Sequence, residues 1–137
     1  MNSFPRTYSA KTAPEGTVDA IKTVMPLLLS GDDLDAETLR MQYAAARITS
    51  VELTGAGFYA DFDVPSTMPT TIRPEYSGGT ATLRLSDVRN GGGCVVFVRD
   101  GRLKTLEVYT YDEPWSEATR VVAVERVTPL CRDSARQ

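Results

Sequence analysis

Asp61 and Asp63 are the residues of this sequence whose type and spacing come closest to acid–base chemistry. They alternate with the apolar residues Phe62 and Val64, so on a β-strand the two carboxylates lie on one face about 7 Å apart. That separation suits a general acid and base, or a site for a hard cation. The other interpretation is the solvated face of an amphipathic strand. We favour it because nothing in the neighbouring sequence calls for an unusual protonation state.

Other catalytic chemistries lack their usual residues. The chain contains no histidine, so no Ser–His or Cys–His pair and no imidazole zinc ligand is available. Its two cysteines, Cys94 and Cys131, are too few for a structural zinc site or a disulfide framework, and we expect no bond between them. The sequence contains no P-loop or dinucleotide fingerprint. We therefore expect no catalytic residue, no metal and no cofactor.

Two further clusters have structural interpretations that we favour. The acidic cluster could bind calcium, but it lacks the alternating acids and the glycine of an EF-hand loop, so we interpret it as helix capping by Asp33 or Asp35. It comprises Asp32, Asp33, Asp35 and Glu37. The run from Asn90 to Gly93 could offer backbone amides to a phosphate. We expect a hairpin turn there, because nothing places the run at a helix N-terminus.

The segment EVYTYDEPW, which begins at Glu107, is the strongest candidate for a binding surface. On a strand, Glu107, Tyr109 and Tyr111 share one face, and aromatic residues among polar ones are typical of binding hot spots. The predicted partner-binding residues are Glu107, Tyr109, Tyr111, Asp112, Glu113 and Trp115. The alternative is that a helix or loop covers these rings and makes them a second layer of the core.

The elements that must position these residues follow from the periodicity. We predict one domain over 1–137, because a chain of 137 residues fits a single domain. Its parts are a loose leader (1–15), a helical region (16–47), a sheet region (48–128) and a polar tail (129–137). In the helical region apolar residues recur every three or four positions, Thr17 could cap the first helix, and Pro26 is expected to kink or split it.

From Ile48 onward the apolar period changes from about 3.6 to 2, which predicts strands. The alternation reverses at the glycines of 54–57, indicating a turn or bulge, and the prolines of 65–79 indicate a long loop. Asp100-Gly101 fits a two-residue hairpin. The predicted fold class is α+β, with two N-terminal helices packed on an antiparallel meander sheet of five or six strands.

Composition limits the partners. A net charge of −3 weighs against nucleic-acid binding, which needs clustered Lys and Arg. No apolar run approaches the ~20 residues of a membrane span, so we expect no membrane partner. The N-terminal residues have no apolar signal region, and we therefore expect a cytoplasmic protein.

Two segments resemble a widespread family of short bacterial proteins that has no characterised activity. In that family a TGxGF segment precedes an FVRDGxLxxLExYTYxExW segment. The matching residues are Thr54, Gly55, Gly57, Phe58, Phe62, Phe97, Val98, Arg99, Asp100, Gly101, Leu103, Leu106, Glu107, Tyr109, Thr110, Tyr111, Glu113 and Trp115. The likeness covers about half of the chain and departs at its end, where Ser116 stands in place of an expected proline. It implies a shared fold and a bacterial origin, and it assigns no role.

Three hypotheses follow for the function. The first is a non-catalytic interaction module that binds a basic partner through its acidic aromatic face, with the immunity proteins that neutralise toxins as an analogy. The second is a small-molecule binder or carboxylate-dependent enzyme that uses Asp61 and Asp63, with Glu107 as a further candidate, in a cleft between helices and sheet. The third is a homodimer joined through the same aromatic face.

Overall fold

The chain folds into two helices and one seven-stranded antiparallel sheet. The computed structural model describes residues 5–128, apart from the side chains of 76–78. The predicted tail and Cys131 lie outside this range. In chain order the elements are β1 (Arg6–Tyr8), α1 (Glu15–Leu28), α2 (Leu34–Ala45), β2 (Arg47–Leu53), β3 (Gly57–Asp63), β4 (Tyr76–Leu85), β5 (Val88–Arg99), β6 (Arg102–Thr110) and β7 (Val121–Thr128). The predicted α+β class is confirmed.

The sheet differs from the prediction in strand number and in connectivity. Its order is β1-β2-β3-β6-β5-β4-β7, seven strands where five or six were predicted. The additional strand is β1, which lies in the expected leader and pairs with β2. The sheet is not a simple meander, because β3 pairs with β6 rather than with β4. The crossover over 64–75 carries the chain from one half of the sheet to the other.

The helices also differ in detail from the sequence pattern. Pro14, not Thr17, stands at the N-cap of α1, and Pro26 lies within the last turn without splitting the helix. A proline removes only one backbone donor, and the neighbouring Met25 and Leu28 are buried in the core. In α2 the predicted cap is confirmed, since the Asp33 carboxylate accepts a hydrogen bond of 2.8 Å from the Ala36 amide.

Only one face of the sheet lies against the helices. Tyr43 of α2 contacts Phe62 of β3 with ring centroids 6.0 Å apart, and α1 contacts β4 and β7. The sheet residues that are buried on this side alternate along each strand. They include Val51, Leu53, Phe58, Ala60, Phe62, Leu83, Leu85, Cys94, Val96, Val98, Leu103, Leu106 and Val108.

The buried Gln42 of α2 ties the helices to the loops around the β5–β6 hairpin. Its amide donates to the carbonyls of Pro69 (2.8 Å) and Gly101 (3.0 Å), and its oxygen accepts from the Leu103 amide at 2.8 Å. The hairpin itself confirms the prediction, because Asp100 and Gly101 both have positive φ (53° and 74°). The crossover and this hairpin are therefore held in one arrangement.

Candidate functional site

The sheet face opposite the helices is covered by no element of the described residues 5–128. We call it the open face. The same alternation that buries the apolar residues places the intervening ones here, and most of these keep solvent contact. The open face comprises Glu52, Tyr59, Asp61, Val95, Phe97, Thr105, Glu107, Tyr109 and, just beyond the end of β6, Tyr111.

Strand register brings these residues into rows across the face. Glu52 of β2 lies opposite Tyr59 of β3, and Tyr59 lies opposite Glu107 of β6. In the next row Asp61 lies opposite Thr105, which lies opposite Phe97 of β5. Residues directly opposite one another on a sheet interact through their side chains. The register therefore makes one surface from residues that are up to 55 positions apart in the sequence.

Tyr109 and Tyr111 form the aromatic end of the open face, as predicted. Their rings contact edge to face, with centroids 6.0 Å apart and planes at 63°. Tyr111 is 53% exposed, while Tyr109 is half-buried over Gly93, where an added Cβ would lie 2.7 Å from the Tyr109 hydroxyl oxygen. Partial burial is the main cause that raises the pKa of Tyr109. Tyr111 is thus the accessible member of the pair.

Tyr59 and Glu107 form a polar pair in the centre of the face. The negative charge of Glu107 is the main cause that raises the pKa of Tyr59, followed by burial, by the hydrogen bond to Glu107 and by the charge of Glu52. Tyr59 is 39% exposed and was missed by the sequence analysis. The alternation through Phe58, Ala60 and Phe62 was the signal that could have placed it on this face.

Asp112 and Glu113 hold the neighbouring strand, a contact that the partner-binding prediction did not anticipate. The backbone amide of Asn90 donates to Glu113 at 3.1 Å, and the side-chain amide of Asn90 donates to both carboxylate oxygens of Asp112, each at 3.1 Å. These bonds fix the segment after β6 against the start of β5. The acids therefore support the aromatic end of the face.

Trp115 does not lie on the open face, contrary to the prediction. It is 1% exposed and packs edge to face on Phe58, with centroids 5.3 Å apart and planes at 65°. Its backbone amide donates to the Gly55 carbonyl at 2.9 Å. The turn after Tyr111 thus carries the chain to the helix side of the sheet. The alternative of a covered, core aromatic residue holds for Trp115 and not for Tyr111.

Residues 54–58 and residues 109–115 meet at this point. The Thr110 amide donates to the Ala56 carbonyl at 2.8 Å, and the Thr110 hydroxyl donates to the Glu113 carbonyl. Gly57 has a φ of +157°, and a Cβ there would lie 1.9 Å from the Val108 carbonyl oxygen. These two segments therefore pack against each other, and Gly57 is needed for their close approach.

Asp61 and Asp63 lie on the open side of the sheet and not in a cleft between helices and sheet. Asp61 accepts a hydrogen bond of 2.8 Å from the Thr105 hydroxyl, and Asp63 pairs with Arg47 at 3.6 Å. Within residues 5–128 no three His, Cys, Asp or Glu side chains are grouped to hold a metal ion. Each carboxylate thus has a structural partner.

Cys94 lies in the core of β5 and is buried. Burial raises the pKa of its thiol from 9.0 to about 12. A nucleophilic cysteine needs a lowered pKa and access to solvent. Cys94 is therefore a packing residue.

A shallow depression lies in the centre of the open face, with a volume of about 450 Å³. Its walls include the rings of Tyr59 and Phe97, the carboxylates of Glu52 and Asp61, and the cationic side chains of Arg99 and Lys104.

Comparisons with family models, with curated proteins and with solved structures gave no significant match to this chain. No helix among residues 5–128 is long and apolar enough to cross a membrane.

Proposed function

We propose that this protein is a non-catalytic interaction module that binds a basic partner protein through its open face. The observation that carries the proposal is the exposed aromatic and acidic surface formed by Tyr59, Glu107, Tyr109 and Tyr111 on a sheet face that no described element covers. Tyrosines within a polar surface are enriched in binding hot spots. An immunity-like role in a bacterial cytoplasm is the concrete version of this proposal.

The edges of the sheet favour binding through its face. The edge strand β1 has only three residues. At the other edge, β7 pairs with β4 through two register shifts, at which Val122 and Glu125 have no opposite residue. Short edge strands and bulges are features that protect a sheet against strand addition. Neither edge strand, β1 or β7, therefore favours pairing with an added strand of a partner.

The test is a comparative pull-down from a lysate of the source organism. Tyr111→Ser removes the most exposed ring of the open face. Ile72→Ser is the matched control, because Ile72 is 66% exposed and lies in the crossover beside α2, where its amide donates to Asp35. We expect a specific protein that is captured by the wild type and by the control but not by Tyr111→Ser.

Two results would contradict the proposal. Capture that is equal in all three proteins would place any interaction away from the open face. A dimer measured by light scattering, lost in Tyr111→Ser, would show that the face binds a second copy of this chain.

A small-molecule binder is the second candidate, supported by the depression between Tyr59 and Phe97. Its volume of about 450 Å³ is within the range of about 300–1,000 Å³ typical of ligand pockets. The depression opens across a sheet face and is not an enclosed cleft. We therefore rank small-molecule binding below protein binding. Thermal-shift screening of polar metabolites would support it if stabilisation were lost in Glu52→Gln.

A further inference from the structure

The Asn90-Gly91 dipeptide lies near the start of β5, in a part of the strand where regular pairing is interrupted. The pairs of β5 with β4 pass from Val88 directly to Gly92, and its pairs with β6 begin at Gly92. The Asn90 side chain is exposed. Gly91 has a φ of +69°, and a Cβ there would lie 2.4 Å from the Leu83 carbonyl oxygen. The fold therefore requires glycine directly after this exposed asparagine.

An asparagine followed by glycine can lose its side-chain amide without an enzyme, which is one reason that asparagine counts as a thermolabile residue. The Gly91 backbone nitrogen attacks the side-chain carbonyl carbon of Asn90 and forms a new C–N bond, which closes a succinimide ring. The bond from that carbon to Nδ2 breaks, and ammonia leaves with the proton of the Gly91 amide. One water molecule then opens the ring at either carbonyl, which gives aspartate or isoaspartate. Glycine favours the attack because no Cβ shields its nitrogen.

The group that this reaction removes holds the segment after β6 in place. The Asn90 side-chain amide donates to both carboxylate oxygens of Asp112, each at 3.1 Å. A carboxylate at position 90 has no proton to donate and repels the charge of Asp112. Isoaspartate also lengthens the backbone before Gly91, whose carbonyl accepts from the Tyr111 amide at 3.3 Å. Both products therefore weaken the attachment of Tyr111 to β5.

From these contacts we infer that Asn90-Gly91 is a site of spontaneous deamidation, and that its conversion releases the segment that carries Tyr111 from β5. The core stays intact, because the contacts that are lost lie at the surface. The consequence for binding rests on the proposed function. A mobile Tyr111 makes the open face a weaker binding surface, because the segment must then be ordered when the partner binds. Deamidation thus limits the time during which a molecule binds its partner at full strength.

The first test is mass spectrometry of the full chain after incubation at neutral pH. Trypsin cleaves after Arg89 and Arg99, so Asn90 begins a peptide of its own. We expect this peptide to become about 1 Da heavier with time and to separate into an aspartate and an isoaspartate form. The Asn90→Ser protein is the control and should keep its mass. Conversion in a urea-unfolded sample but not in the folded protein would overturn the inference, because the fold would then block the reaction.

The second test measures the structural consequence with a variant that carries one of the two products. In Asn90→Asp we expect hydrogen exchange of the Tyr111 amide to become about tenfold faster, as the loss of hydrogen bonds to a charged group implies. Thr67→Asp is the matched control, because it adds the same charge at an exposed position of the crossover. It should leave this exchange rate unchanged. An unchanged rate in Asn90→Asp would overturn the release of the segment.

Capture of the partner separates this inference from the proposed function. A partner that Asn90→Asp retains less well than the wild type and Thr67→Asp would support both. Equal capture by all three proteins would overturn the control of binding by deamidation. A wild type that captures no protein would contradict the proposed function, while the peptide mass and the exchange rate would still decide whether the site deamidates and releases Tyr111.

Discussion

Replacing Trp115 and replacing Tyr111 should have opposite consequences, although both belong to one aromatic segment. Trp115 is 1% exposed and contacts Phe58, so Trp115→Ala leaves a cavity in the core. Substitutions of this kind cost about 3–5 kcal/mol. Domains are stable by only about 5–15 kcal/mol, so we expect a severely destabilised protein.

Tyr111→Ala should cost far less. Its ring is half exposed, and its edge-to-face contact with Tyr109 at 6.0 Å is of a type that contributes about 0.5–1.5 kcal/mol. We expect the free energy of unfolding to fall by less than about 1 kcal/mol, because substitutions of exposed side chains rarely cost more than that. Tyr111 is therefore the position at which a change in binding can be measured without a change in folding.

The assay is urea unfolding followed by far-ultraviolet circular dichroism. Fluorescence is unsuitable, because Trp115 is the single tryptophan of the chain and the variant would lose the signal. Trp115→Phe is a useful third variant. It retains a ring against Phe58 and removes an indole N–H that is buried without a hydrogen-bond partner, so we expect a smaller loss than for Trp115→Ala.

The result that would refute this reasoning is a Trp115→Ala variant destabilised by less than about 1 kcal/mol, since a buried tryptophan cannot be removed at that cost. A Tyr111→Ala variant as unstable as Trp115→Ala would refute the exposure of Tyr111. Either result would require a different path for the chain after β6.

Three further predictions concern single side chains. Gln42→Leu should lower the free energy of unfolding by about 2–4 kcal/mol, because the Leu103 amide and a crossover carbonyl lose their partners; a urea midpoint that stays unchanged would contradict this. The pKa of Cys94 is raised from 9.0 to about 12 by burial, so the native state retains a proton that the unfolded state releases, and stability should fall as pH rises through this range. Cys94→Ala should show a shallower fall, and equal slopes would be evidence against a buried thiol. Glu107→Gln should lower the pKa of Tyr59 toward its ordinary value, measured from ring NMR shifts in an alkaline titration, and a pKa that does not move would remove Glu107 as its cause.

The sequence predicted local features correctly where neighbouring residues alone determine the conformation. The Asp100-Gly101 turn followed from the need for positive φ in a two-residue hairpin. A cap at Asp33 or Asp35 followed from the preference of Asp for the helix N-cap position, and in the structure the cap is Asp33. The shared face of Glu107, Tyr109 and Tyr111 followed from the period of 2 in a strand.

The run from Asn90 to Gly93 shows where local reasoning was wrong. Its glycines indicated a turn, but the structure places them inside β5, and the turn before this strand is at Ser86 and Asp87. The Tyr109 ring of the neighbouring strand lies over Gly93 and leaves no room for a Cβ. Aromatic residues often cover strand glycines in this way. The cause lies on another strand, so the run alone could not reveal it.

The sequence alone determined the α+β class, the two helices and the outward alternation of Glu107, Tyr109 and Tyr111, because those depend on periods of 3.6 and 2. Only the tertiary structure decided the strand order, the pairing of β1 with β2 and the core position of Trp115. Each of these depends on contacts between residues far apart in the chain. Glu52 and Lys104 came to line one depression because strand pairing joined four separate segments, and that pairing is set by packing of the whole sheet rather than by any local pattern.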